Sequence, residues 1–235
     1  MHPIAGALCP VCGERMVAPF IVSAERGESL CGLCQRLRPA YVRAMAYGSY
    51  DGGLRELIHI LKYEKVRPAA NVLGRMLSEI IDELKPAFGE APVLVVPVPL
   101  HASKKRERGF NQSELMARAA VKQSSLGSRL ELDADLLQRS RITHSQIGLS
   151  RHQRRENIRG AFLAAKPEKV AGREVLLIDD VFTTGTTVSE CARILRRAGA
   201  SKVFVATAAR TLKSDAAHME STLDVETRIA MAAAG

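Results

Sequence analysis

The chain has no tryptophan, and aromatic residues fill only 4% of its 235 positions. Stacking platforms of the oligonucleotide-binding type, which need several exposed rings, are therefore not expected. No apolar run nears the roughly 18 residues that a membrane-spanning helix requires. The longest clear run, Val93–Val96, stops at Pro97. The first eight residues lack a basic stretch followed by an apolar one, so no secretory signal is read, and a cytoplasmic chain without a membrane span is expected. No G-x-G-x-x-G occurs, and no glycine-rich loop ends in G-K-[ST], which argues against a dinucleotide site and a P-loop NTPase. What remains is ordinary in bulk: 46% apolar and 25% charged residues, as in a folded domain. The length suits one large domain or an ordinary domain with a small one attached. The balance of charge is less ordinary. Of the net +9, thirteen Lys/Arg against six Asp/Glu in residues 101–160 supply +7. A basic field that dense gathers anions, whether phosphate ligands or nucleic acid.

Five cysteines are present, and four form two C-x-x-C pairs, Cys9/Cys12 and Cys31/Cys34. Each pair can turn both thiolates toward one ion, and four thiolates close a tetrahedron, the pattern of structural zinc. Two disulfides are the competing reading, which a cytoplasmic setting disfavours. A segment of about forty residues with few large apolar side chains needs such a staple to fold. Residues 1–39 are thus expected to be a four-cysteine zinc module, 40–212 the main domain, and 213–235 an alanine-rich, flexible tail. Cys191 shares a helical face with Val188 and Leu195 and is expected in the core.

In the main domain, Leu54, Leu57, Ile58 and Leu61 mark one amphipathic helix, and Val72 to Leu84 a longer one. Val93–Val98 reads as a short strand, and Asn111 with Glu114 as the capped start of another helix. Glu174–Ile178, Thr187–Ala198 and Lys202–Ala208 read as strand, helix and strand. That βαβ unit predicts an α/β fold, a parallel sheet flanked by helices.

The segment from Val175 to Thr187 carries the most chemistry. A buried strand delivers Asp179 and Asp180 to its carboxyl end, then Thr183, Thr184, Gly185, Thr186 and Thr187 lead into a helix. Ligands in open α/β sheets sit outside the carboxyl ends of strands. Backbone N–H groups, hydroxyls and a helix N-terminus can cradle one phosphate. Carboxylates accept hydrogen bonds from sugar hydroxyls. Phosphate behind and a diol in front describe a ribose 5-phosphate.

This stretch resembles the phosphoribosyl pyrophosphate (PRPP) signature of type I phosphoribosyltransferases. The likeness extends through Leu61-Lys62-Tyr63, Val96-Pro97-Val98-Pro99-Leu100-His101, Arg108-Gly109-Phe110-Asn111-Gln112, Arg141-x-Thr143-x-x-Gln146 and Arg154-x-x-Asn157-x-x-Gly160-Ala161-Phe162. With the four cysteines ahead of them, these motifs in this order resemble the ComF family, amidophosphoribosyltransferase-like proteins of which some serve DNA uptake in natural transformation. Two departures stand out: Lys105 occupies a position where arginine is expected, and the alanine-rich extension follows Arg210.

The resemblance implies a type I phosphoribosyltransferase-like sheet and a Mg²⁺-dependent PRPP site. Asp179 and Asp180 would hold the ribose, and residues 183–187 the 5-phosphate. Lys104, Lys105, Arg106 and Arg108 follow the strand that ends near Leu100, so a cationic loop is expected at the same edge. It would neutralise pyrophosphate with Mg²⁺ bridging its oxygens; a plain solvated loop is the alternative. Arg139, Arg141, Thr143 and Gln146 read either as a lid that excludes water or as ordinary surface. No histidine shows metal-ligand spacing. Because His2 stands second, the cysteine nucleophile of a glutamine amidotransferase is missing, and ammonia release is not expected. If the site is catalytic, pyrophosphate leaves the anomeric carbon for an acceptor the sequence does not specify. A second reading makes the chain a DNA-uptake accessory that binds single-stranded DNA through its basic segment and keeps the ribose site as a sensor or relic.

Overall fold

Five strands, β1 (Arg43–Ser49), β2 (Val93–Pro97), β3 (Leu130–Leu132), β6 (Glu174–Phe182) and β7 (Lys202–Arg210), form one sheet in the order β1-β7-β6-β2-β3. Every neighbouring pair runs parallel. The computed structural model describes residues 4, 6–16, 30–141 and 150–212. Parallel strands need crossovers, and crossovers bury both faces of a sheet. The strands read accordingly as continuous apolar runs: Val93–Pro97 is buried throughout, and so is β7 after Lys202.

Alternate residues of the central strands feed two separate cores. Val93, Val95, Leu176, Ile178, Phe204 and Ala206 face the helices α2 (Gly52–Lys62), α3 (Ala69–Leu84) and α5 (Gln112–Gln123). Leu94, Val96, Val175, Leu177, Val203 and Val205 face the other way. There they meet α7 (Thr186–Arg197), Ile158 of α6 (Arg151–Ile158), and the antiparallel pair β4 (Leu137–Arg139) and β5 (Phe162–Ala164). The four N-terminal cysteines and Tyr41 belong to this second cluster. Val42 N–H donates to Val203 O at 2.7 Å, and Ala44 N–H to Val11 O at 2.7 Å. The cysteine segment, which includes the short helix α1 (Gly32–Leu37), is thereby packed against the edge of the sheet.

The expected βαβ unit is present with shifted ends. The strand expected to stop at Ile178 runs on to Phe182, because β7 continues to pair with it through Phe182↔Arg210. The following helix starts at Thr186, one residue early. The cationic loop expected after Leu100 is helical instead, α4 (Ala102–Arg108). His101 supplies its N-cap: Nδ1 accepts from Ser103 N–H at 3.2 Å. Asn111 caps α5 by accepting from Ser113 N–H at 3.2 Å. Glu114 does not close a capping box there, and binds Arg118 at 2.9 Å. No helix among the described residues is long and apolar enough to cross a membrane.

Candidate functional site

From β2 the chain leaves through α5 to β3 on one face, and from β6 through α7 to β7 on the other. Neighbouring strands whose crossovers depart to opposite faces leave a crevice at their carboxyl ends. Pairing between β2 and β6 ends at Pro97↔Ile178. Asp179 to Phe182 therefore project beyond β2 with β7 alone beside them. Strand overrun and switch point together put both aspartates at the crevice floor.

The two carboxylates are buried, and each has its own partners. Ser113 Oγ donates to Asp179 Oδ1 at 3.0 Å, as does Asp180 N–H at 3.0 Å. Asp180 Oδ1 accepts from Val181 N–H at 2.7 Å, and its Oδ2 from Gln112 Nε2 at 3.3 Å. The same Oδ2 forms an ion pair with Lys62 Nζ, which arrives from the end of α2. Burial, reinforced by the adjacent Asp180 charge, raises the Asp179 carboxyl from 3.8 to about 7, against the pull of Lys62. Burial works against the Lys62 ammonium, but Asp180 overrides it and holds Lys62 above the ordinary lysine range.

Gly185 shapes the threonine loop between β6 and α7. Its φ is +72°, and a Cβ there would come within 2.5 Å of the Phe182 ring. Only glycine meets both conditions without strain. The loop thus folds back over Phe182 before α7 begins, and the Thr184 and Thr186 hydroxyls lie 2.8 Å apart at the turn. Thr183 is exposed, and Thr184, Thr186 and Thr187 are half-buried. Backbone donors at the start of a twelve-residue helix, with hydroxyls beside them, are suited to a phosphate.

The four basic residues expected to hold pyrophosphate lie on α4 in two groups. Arg108 is built in: Nη1 donates to Gln112 Oε1 at 2.6 Å, and the guanidinium lies 5.7 Å from the Tyr63 ring centroid. Gln112 thus links Arg108 to Asp180. Lys104, Lys105 and Arg106 are exposed, with Lys105 3.7 Å from Glu114. Of the expected lid, Arg139 ends β4, its guanidinium 5.5 Å from the Phe162 ring centroid. Arg141 donates to the carbonyls of Asn157 and Arg159 at 2.9 and 3.0 Å, tying it to the end of α6. Thr143 and Gln146 lie outside the described residues, as does the alanine-rich tail.

The sequence alone does not mark Lys62 and Gln112 as site residues. Their signal is only their place in the Lys62-Tyr63 and Asn111-Gln112 motifs, since the contact with Asp180 is long-range.

The second cluster is Cys9, Cys12, Cys31 and Cys34. All four are buried, and their Sγ atoms lie within 4.8 Å of one another. No disulfide joins them. Sulfurs around tetrahedral zinc, at Zn–S of about 2.3 Å, stand about 3.8 Å apart; Cys12 and Cys31 Sγ are 3.6 Å apart. The donor set and its spacing fit zinc. Arg210, at the end of β7, supports the cluster by donating to Cys12 O, with its Nη2 3.0 Å from Glu14 Oε2.

The family described as phosphoribosyl transferase domain matches residues 61–231. The DNA utilization protein YhgH of Escherichia coli K12 is 34% identical over 206 residues, 87% of this chain and 85% of its own. Competence protein F of Haemophilus influenzae is 28% identical over 215 residues, covering 87% and 91% of the two chains. Among solved structures, the glutamine PRPP amidotransferase of Bacillus subtilis superposes with a TM-score of 0.38 at 23% identity, over 60% of this chain and 26% of that one. The parallel sheet, the aspartate-threonine segment and the four-cysteine cluster thus come together in a chain that belongs to the phosphoribosyl transferase domain family, among the ComF-type proteins that include competence protein F and the DNA utilization proteins.

Proposed function

We propose that the chain binds Mg²⁺-PRPP in the β2/β6 crevice. The observation that carries this reading is one strand-loop-helix segment, in which two buried carboxylates precede a threonine loop turned by a left-handed glycine. Asp179 and Asp180 accept from the ribose hydroxyls. Residues 183–187 take the 5-phosphate. Arg108, braced by Gln112, faces the pyrophosphate, with Lys104, Lys105 and Arg106 available beside it. When bound, Mg²⁺ would supply charge neutralisation for the pyrophosphate. If turnover occurs, the carbon–oxygen bond to pyrophosphate breaks, a nucleophilic acceptor forms the new bond, and no protein nucleophile is needed. Zinc at the four cysteines is structural, because four thiolates leave no open position.

Titration calorimetry tests the ligand. Wild type is expected to bind PRPP with Mg²⁺ and only weakly without it. Asp179→Asn and Asp180→Asn each lose about 1–3 kcal/mol of binding, as charged acceptors become neutral. Equal affinity in wild type and the double variant would remove the ribose site. Release of pyrophosphate with candidate bases then separates an enzyme from a binding protein.

A second reading rests on the exposed cations of α4 and α6, among them Lys104, Arg106 and Arg155, and on the DNA-related names of the relatives. In it the chain holds single-stranded DNA by its phosphates and works beside DNA-uptake proteins, with PRPP as a signal rather than a substrate.

A further inference from the structure

Arg210 is almost fully buried, 3% exposed, and lies between the two sites. On one side it meets the cysteine segment: Nη1 donates to Cys12 O, Nη2 lies 4.0 Å from Cys12 Sγ and 3.0 Å from Glu14 Oε2. On the other, its guanidinium sits 4.4 Å from the centroid of the Phe182 ring. The same ring is the surface on which Gly185 turns, with so little space that a Cβ would lie 2.5 Å from its Cζ. Tyr41, which joins the cysteine segment to β1, meets the ring edge-on at 6.4 Å. An unbroken run of contacts therefore leads from a metal ligand, through Arg210 and Phe182, to the middle of the phosphate loop.

From this we infer that metal at the four cysteines holds the phosphate loop in its ligand-ready turn, so that metal and PRPP bind cooperatively, with Arg210 and Phe182 as positioning residues. The inference rests on the PRPP reading above and deepens it into a mode of regulation. The physical reason is the guanidinium charge, which arginine cannot shed. Buried, it needs Glu14 and the Cys12 carbonyl, and both are fixed only while the cysteine turn is closed around its ion. Once the turn opens, the unpaired charge must move toward water. It then leaves the Phe182 ring, and the ring loses the wall that presses it against Gly185. Loss or oxidation of the thiolates would thus be felt at the phosphate, and linkage makes the effect reciprocal.

The experiment uses the full chain loaded with zinc. Zinc affinity is measured by equilibrium competition with a colorimetric chelator with and without Mg²⁺-PRPP, and PRPP affinity is measured before and after metal removal. The expected results are about a fivefold or greater tightening of zinc by PRPP and at least a fivefold weaker PRPP affinity without metal. Phe182→Leu leaves the cysteine contacts intact and should keep one zinc, but bring both factors close to one. Arg210→Met should do the same; if it does not fold, Phe182→Leu decides. Hydrogen exchange over residues 182–187 provides a readout that needs no ligand, and metal removal should speed it. If zinc-loaded wild type fails to bind PRPP, the functional reading falls, and the exchange measurement alone judges the coupling. Unchanged exchange on metal removal, unchanged zinc affinity with bound PRPP, or a chain that carries no metal would overturn the inference.

Discussion

Two adjacent acids in a buried strand would repel each other into neutrality unless their surroundings divided the roles between them. Here Asp180 is matched by Lys62, and Asp179 by neutral donors, Ser113 and a backbone N–H. Asp179 therefore bears most of the burial, and its carboxyl rises from 3.8 to about 7. The sign follows from the protons bound. The folded state holds this proton more tightly than the unfolded chain, so the contribution to stability is complete below about pH 4 and is lost as pH climbs to about 7. A ribose hydroxyl, in contrast, needs the ionised form as acceptor, so PRPP affinity should increase as pH rises through about 7. Asp179→Asn should flatten both dependences, as denaturant melts and calorimetry across pH 5–8 would reveal; an unchanged profile would assign the titration elsewhere. Lys62 makes a separate prediction. Lys62→Met leaves the buried Asp180 with neutral donors only, Gln112 and the Val181 N–H, and should cost about 3 kcal/mol of stability. Adding Asp180→Asn should restore much of that loss in urea unfolding, whereas a purely steric defect would persist.

Helices α3 and α5 cross closely at Gly74, where a Cβ would lie 2.4 Å from the Ala119 Cβ and 3.0 Å from α5 backbone. Backbone cannot yield as a flexible side chain does, so Gly74→Ala should destabilise the fold by about 1–3 kcal/mol, read as a lower urea midpoint. The displaced helix matters to function, since the start of α5 carries Gln112 and Ser113 to the aspartates. Elements like these differ in how far the sequence discloses them. The β6-α7-β7 unit was legible because its apolar run and 3.6-residue pattern are strong. The last four residues of β6 were not, because Asp179 and Asp180 interrupt the apolar run while pairing with β7 carries the strand on. Helix α4 was not legible, because it buries no residue and so has no apolar stripe to announce it. The cysteine cluster was legible from spacing alone. Its contact with Arg210 was not, since nothing local in a strand's last residue names a partner near the other end of the chain.

At the scale of the whole molecule, α4 and α6 carry exposed cations, and a nucleic-acid role for them makes a salt-dependent prediction. Single-stranded DNA bound by phosphate contacts should lose affinity with a slope of about −0.7 in log K per contact against log[salt], with little regard to sequence. Fluorescence anisotropy from low to moderate salt would show it, and no binding at low salt would leave the PRPP reading alone. Because α4 serves both proposals, Mg²⁺-PRPP should weaken DNA binding, and independence would place the two ligands apart. The sheet order has a consequence of another kind, in the timing of synthesis. β1 lies at the sheet edge, and its strand partner is β7, with Arg43 set against Phe204. β2 likewise has only short β3 beside it until β6 is made. A chain emerging from the ribosome therefore carries its cysteines, β1 and the α2–α3 pair long before the strands that complete their surroundings exist. The first-made half waits on the last-made strands, and a ribosome stalled before residue 202 would hold a sheet without β7, its β1 cut off from β6, β2 and β3.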